Sequence, residues 1–200
     1  IAALRQAHKK RLARSRGPDR RGHLRDMVSI HTRPAEALGR QVAGHWEGDL
    51  IKGAGNASAV GTLVERKSRY VLLAKMDGTD AEAALEGFTR RMRTLPAAVR
   101  KTLTYDQGKE MAHHRALAHR LNIRVYFADP HSPWQRPSNE NANGLIRQYL
   151  PKGMDLSGVS QRRLTQIATA LNTRPRKCLG FMTPEEVMSQ EINQLNSCVA

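Results

Sequence analysis

The sequence predicts an α/β domain, a mixed five-stranded sheet with helices on both faces. Three observations predict it: three consecutive β-type runs open the ordered part of the chain, two further short strands alternate with helical segments, and only helices follow. The first strand is "HWEGDLI", closed by the small-residue turn "KGAGNAS". "AVGTLVE" and "RYVLLAKM" are β-branched and aliphatic runs separated by the polar "RKS", which reads as an antiparallel hairpin. In "TDAEAALEGFTRRMRTL", Thr79 or Asp80 is the N-cap, and Ala84, Leu85, Phe88, Met92 and Leu95 recur at helical spacing.

"TLTYD" is the fourth strand, with Asp106 at its C-terminal end, and "GKEMAHHRALAHRL" is the helix after it. "IRVYFA" is the fifth strand, and it runs into "DPHSPWQRP", too rich in proline to be helical. Ser138 starts a helix that Pro151 and Gly153 stop. "SQRRLTQIATALNTR" is a further helix, and "MTPEEVM" has Thr183 as cap, Pro184 at the first helical position and Glu186 closing a capping box. The three segments predicted are a basic arm or linker over 1–42, a core domain over 43–190 and a tail over 191–200.

The chain has 200 residues, with 33 Lys and Arg against 18 Asp and Glu, a net charge of +15. Up to Val42 there are eleven basic and three acidic residues, a surplus of eight in the first fifth of the chain. Such a surplus points to a polyanionic partner, and the arm reads either as a solvated tail or as a phosphate-neutralising segment. "IAALRQAHKKRLAR" fits one short basic helix. No apolar run approaches the roughly 20 residues needed to span a bilayer, and the start is too basic for a signal peptide, so a soluble, intracellular protein is expected. Cys178 and Cys198 form no CxxC pair, which argues against a disulfide framework or a zinc finger. The start at Ile1 suggests a fragment.

Asp49 lies near the end of the first strand and Asp106 where the fourth stops, so the two carboxylates meet if those strands are neighbours. In the helix from Ser138, Ala142, Leu145, Ile146 and Tyr149 form the buried stripe, and Glu140, Asn143, Gly144 and Arg147 share the opposite face. Glu140 sits in the first turn, where the helix dipole favours a negative charge. Gly144 costs about 1 kcal/mol relative to Ala inside a helix, and its reading is close approach of a phosphate backbone. Three carboxylates at one sheet edge repel one another unless a cation joins them. A pair of hard divalent ions answers that need and suits phosphoryl transfer on nucleic acid.

Lys109, Trp134, Gln135, Arg136, Asn139, Asn143 and Arg147 surround the acids with groups suited to phosphate and base contacts. Glu47, Glu65 and Glu110 compete for the metal role. Trp46 and Trp134 read first as packing residues, although the proline loop puts Trp134 within reach of DNA. His113, His114 and His119 read as helix surface rather than as a metal cluster, and Arg66, Lys67 and Arg69 as turn residues.

"GHWEGDLI", "GTLVERKSRYVLL", "TYDQGKEMAHH", "VYFADPHSPWQRPSNENANGLIRQYLPKG" and "LNTRPRKCLGFMTPEEV", in that order, resemble the catalytic core of insertion-sequence-thirty family transposases, within the DDE transposases and retroviral-type integrases. The resemblance spans roughly Arg33 to Val187. It implies a ribonuclease-H-like fold, Asp49, Asp106 and Glu140 as the acidic triad, two Mg²⁺ or Mn²⁺ ions, and cleavage and strand transfer at terminal inverted repeats. It also implies action as a homo-oligomer on DNA in a bacterial cytoplasm, at the nucleoid. Two departures bear on function. Pro137 stands where the family's pattern has glycine, which predicts a stiffer or displaced loop, and the family's N-terminal helix-turn-helix is absent from this chain. The rival readings are an inactive DNA-binding remnant of a decayed element and a ribonuclease-H-type nuclease acting on RNA–DNA hybrids.

Overall fold

In the computed structural model, which describes residues 24–197, five strands form one sheet: β1 (His45–Lys52), β2 (Ala59–Glu65), β3 (Val71–Lys75), β4 (Thr102–Tyr105) and β5 (Arg124–Phe127). Their order is β3-β2-β1-β4-β5. The β1/β2 and β2/β3 pairs are antiparallel, and β1/β4 and β4/β5 are parallel. The expected mixed sheet is therefore present, with β1 central and next to β4.

The helices are α1 (Ala35–Gly39), α2 (Ala81–Met92), α3 (His114–Leu121), α4 (Pro137–Ile146), α5 (Gln161–Asn172) and α6 (Pro184–Ser197). Side-chain alternation along the strands sends two apolar sets to opposite faces. Trp46, Leu50, Leu63, Leu103 and Tyr105 join Phe88 of α2, Leu117 of α3 and Met188 of α6. Ile51, Val60, Val64, Val71 and Leu73 join Leu145 and Ile146 of α4 and Leu164, Ile167 and Leu171 of α5. Gly48 permits this packing, because a Cβ there would stand 2.8 Å from the Tyr105 ring.

Local chemistry sets the helix ends. Asp80 caps α2 through the Ala83 amide at 2.8 Å, and Ser160 caps α5 through the Arg163 amide. Thr183 and Glu186 close the predicted capping box, with amide contacts of 2.7 and 3.2 Å. Two side chains of α5 also satisfy the outer edge of β3. Asn172 pairs with both backbone groups of Val71, and Gln161 accepts from the Lys75 amide and donates to the Leu73 carbonyl. The helix thereby blunts an edge that would otherwise pair with another strand.

Several expectations are corrected. Residues 108–121 are not one helix: a 3-10 turn at Lys109–Met111 precedes α3. His114 is not surface but core, 6% exposed and edge-on to Phe127 at 5.0 Å. The segment up to residue 42 is not wholly an arm, since Ile30, Arg33 and Ala37 are buried and Ser29 bridges to Phe127. Nor do residues 191–197 form a tail, because α6 continues through them and Ile192 and Leu195 pack on the core. The basic helix expected before residue 15 lies outside the described residues.

Candidate active site

The site is built where β1 outruns β4. The parallel pairing ends at Glu47 opposite Thr104, and Asp49 follows on the same face of β1 as Glu47. Asp49 is thus in the middle of its strand rather than near its end, because β1 continues alongside β2 as far as Lys52. Asp106 is the first residue past β4. The two carboxylates lie against one guanidinium: Arg136 Nη1 is 3.9 Å from Asp49 Oδ1, and Nη2 is 3.4 Å from Asp106 Oδ2. Arg136 also donates to the Gly48 carbonyl at 2.8 Å and lies 5.9 Å from the Tyr105 ring centre.

Pro137 is the first residue of α4. Its fixed φ and missing N–H suit that position, since the first helical amide has no partner within the helix. The stiff residue therefore starts the helix, one position before the predicted Ser138. Asn139 is fully buried and ties α4 to the sheet. Its amide donates to Glu47 Oε2 at 2.9 Å, its side chain donates to the Glu47 carbonyl at 3.1 Å, and its Oδ1 accepts from Thr62 Oγ1 at 3.1 Å. Arg66 stands 3.2 Å from the other Glu47 oxygen. One turn further, Asn143 Nδ2 donates to Asp49 Oδ2 at 2.8 Å.

Glu140 lies on the same helix face as Asn143, one turn earlier, and is exposed. Its charge reaches Asp49 as one of the influences that raise that carboxyl. Among the described residues, however, no three His, Cys, Asp or Glu gather closely enough to hold a metal ion. Of the three expected carboxylates, Asp49 and Asp106 lie within 4 Å of one guanidinium, and Glu140 stands exposed on the adjoining helix.

Burial is the first cause that lifts the Asp49 carboxyl from 3.8 to about 6, opposed by Arg136 and reinforced by Asp106 and Glu140. That environment suits an added cation, and the donor set is all oxygen, as a hard divalent ion requires. Glu47 and Glu65 do not compete for it. Glu47 is enclosed by Asn139 and Arg66, and Glu65 accepts from the Ser68 amide and hydroxyl at 2.6 and 2.7 Å.

The predicted DNA-contacting residues differ widely in exposure. Trp134 is 69% exposed, against 0% for Trp46, and Lys109 is also exposed. Asn143 and Arg147 sit at the margin, Arg147 donating to the carbonyls of Lys52 and Leu150. Gln135 is held by Asp129, through its amide at 2.7 Å and its carboxylate at 2.8 Å. Arg136 and Asn139 are buried, 6% and 0% exposed, and donate inward to the backbone carbonyls of Gly48 and Glu47. Of the two anchors, Arg66 reads from the sequence only as a turn residue and Glu47 only as a competing metal ligand, although Glu47 lies two residues from Asp49 on a strand and so shares its face.

Residues 39–133 match the integrase core domain family, a span that includes Asp49 and Asp106 and ends before α4. The chain is 62% identical over 190 residues to the transposase for insertion sequence element IS1086 of Cupriavidus metallidurans, covering 95% of this chain and 56% of that protein. It is 45% identical over 163 residues to transposase InsI for insertion sequence element IS30A of Escherichia coli, covering 82% of this chain and 42% of that one. The chain spans about half the length of these relatives. Among solved structures, the catalytic core domain of BIV integrase superposes with a TM-score of 0.57 at 19% identity, covering 76% of this chain and 98% of that one. A chain of the simian T-cell lymphotropic virus intasome superposes at 0.59 and 16% identity, covering 72% and 54%. These two likenesses bear on the fold, which is ribonuclease-H-like.

Proposed function

We propose, from the chain's membership of the integrase-core transposases, that it is the catalytic core of a DDE transposase that cleaves and joins DNA at the terminal inverted repeats of an insertion element. The observation that carries this reading is the pairing of Asp49 and Asp106 across one guanidinium at adjacent parallel strands, with Glu140 on the helix that Asn143 ties to Asp49. Divalent cations serve this group of enzymes, and Asp49, Asp106 and Glu140 would hold two Mg²⁺ or Mn²⁺ ions here. Such ions, when bound, activate the attacking oxygen and stabilise the leaving one in an in-line displacement at phosphorus.

The protein's own residues then have distinct parts. Asp49 and Asp106 supply fixed oxygen donors from a rigid sheet, and Arg136 holds them at a common place through its bond to Gly48. Asn143 orients the Asp49 carboxylate, and the Glu47–Asn139 anchor fixes the helix that carries Glu140. Trp134 and Lys109 face solvent, two residues before Arg136 and three after Asp106 in the chain, and an aromatic face and an ammonium suit a base and a phosphate. In the cleavage step a water oxygen bonds to phosphorus as the bond to the 3′-oxygen breaks, and that oxygen leaves protonated. In joining, the freed 3′-hydroxyl oxygen bonds to the phosphorus of a second phosphodiester as that phosphorus loses its own 3′-oxygen, which leaves with the proton as a new 3′-hydroxyl. We assign the working form to a homo-oligomer on DNA in the bacterial cytoplasm, at the nucleoid. No described helix is long and apolar enough to cross a membrane.

The test is incubation of the chain and of Asp106→Asn with labelled duplexes carrying the matching element ends, in Mg²⁺ or Mn²⁺. Cleavage at the end by the intact chain and none by Asp106→Asn supports the reading. Degradation of an RNA–DNA hybrid with no cutting of element ends contradicts it, and so does duplex binding without cleavage.

A further inference from the structure

A second cluster of charge lies on the far side of α4 from Glu140. Arg40, Arg69 and Arg176 line a cavity of about 230 Å³, together with Ser138 and Asn141 of α4 and the exposed Cys178, and no carboxylate is among its lining residues. Four separate parts of the chain bring these groups together: the end of α1, the β2–β3 turn, the first turns of α4 and the 3-10 segment near Arg176. Arg69 donates to the Ser138 hydroxyl, and Arg176 Nη2 donates to the Leu171 carbonyl at 3.1 Å, so two of the guanidiniums are braced.

The backbone adds an independent observation. Arg40 and Arg69 both hold left-handed conformations, with φ of 53° and 63°. Glycine or asparagine adopts that region with less strain, so an arginine placed there is explained better by its side chain than by the turn. Three cations facing one cavity also repel one another. Arg40 is held below its ordinary range by burial first, and then by Arg69 and Arg66.

We propose that this cavity is a phosphate-binding pocket that takes a backbone phosphate of duplex DNA. Guanidinium forks match the paired oxygens of a phosphodiester, and the buried aliphatic floor weakens competition from water. The pocket lies across α4 from the acids, so it would grip the DNA at a phosphate other than the one being cut. The choice of DNA as the source of that phosphate rests on the transposase reading. The pocket itself rests on the arginines.

Cys178 provides the reporter. In a Cys198→Ser chain, iodoacetamide alkylation of Cys178 is followed alone, with inorganic phosphate, and with a short duplex, while duplex affinity is measured across salt concentrations. The duplex is expected to slow alkylation several-fold, and Arg40→Gln and Arg69→Gln are each expected to relieve that protection. Each should lower the slope of log affinity against log salt by about 0.9, the value of one phosphate contact. Arg40→Gln makes the test without disturbing the Arg69–Ser138 bond, and circular dichroism checks that both variants fold. Unchanged alkylation and slope overturn the proposal. Protection by inorganic phosphate but not by duplex overturns the DNA assignment, leaving a free-anion site. If the unsubstituted chain binds no duplex, the transposase reading fails as well, whereas cleavage at element ends with an unchanged Arg40→Gln slope sinks the pocket alone.

Discussion

Burial holds the Asp49 carboxyl at about 6 instead of 3.8, so the folded chain binds a proton there more tightly than the unfolded chain does. Stability therefore falls as pH rises from about 3.8 to about 6, and the whole cost is in place above that window. Asp49→Asn removes the cost and should stabilise the chain at pH 7.5 by on the order of 1–3 kcal/mol, with the gain vanishing by pH 3.5. Urea unfolding at the two pH values measures this, and an equal effect at both would show that the carboxylate's charge is not the cause. Mn²⁺ should raise the melting temperature of the unsubstituted chain and leave Asp49→Asn unmoved. At Asn139 the sign reverses: Asn139→Ala strips the Glu47 carbonyl and the Thr62 hydroxyl of buried partners and should destabilise by about 2–3 kcal/mol in the same experiment. The sequence places Asp49, Asp106 and Glu140 by their motifs. It does not separate Asn139, which is buried, from Asn143 at the site margin, because both are amides in one helix and only the packing against Glu47 tells them apart.

At the scale of the element, α4 carries the argument. Its buried stripe of Ala142, Leu145 and Ile146 was legible from helical spacing, and so was the polar face with Glu140 and Asn143. Its start was not, since Pro137 serves equally as a loop breaker and as a first helical residue, and the choice depends on the Asn139–Glu47 anchor two residues on. Gly144 has open space where a Cβ would stand, so nothing in the fold requires glycine there. Gly144→Ala should therefore stabilise the chain by about 0.5–1 kcal/mol while weakening duplex binding if a phosphate backbone approaches that face. A stabilised variant with unchanged affinity would leave Gly144 with no role in DNA binding. A mixed sheet followed from the run of strands and crossover helices, whereas the order β3-β2-β1-β4-β5, which sets β1 beside β4, is seen only in the structure. The edge treatment of β3 by Gln161 and Asn172 did not follow either, because it joins residues 86 to 101 apart in the chain.

For the whole molecule, the net charge of +15 was the plainest signal of a polyanionic partner, and a surplus of eight of those charges falls in the first fifth of the sequence. Removing residues 1–23, which hold eight Lys and Arg, should lower the slope of log duplex affinity against log salt by about 0.9 for each phosphate those side chains neutralise. An unchanged slope would make that segment a solvated tail. What composition could not show is that the residues just after it dock on the core, because Ile30 and Arg33 are buried by contacts with parts of the chain far away in sequence. The whole account depends on Glu140 acting with Asp49 and Asp106. The measurement that tests this most directly is nicking of a supercoiled plasmid bearing the matching inverted repeats, in Mg²⁺, by Glu140→Gln. The account predicts loss of nicking with fold and duplex affinity kept, and retained nicking would contradict it.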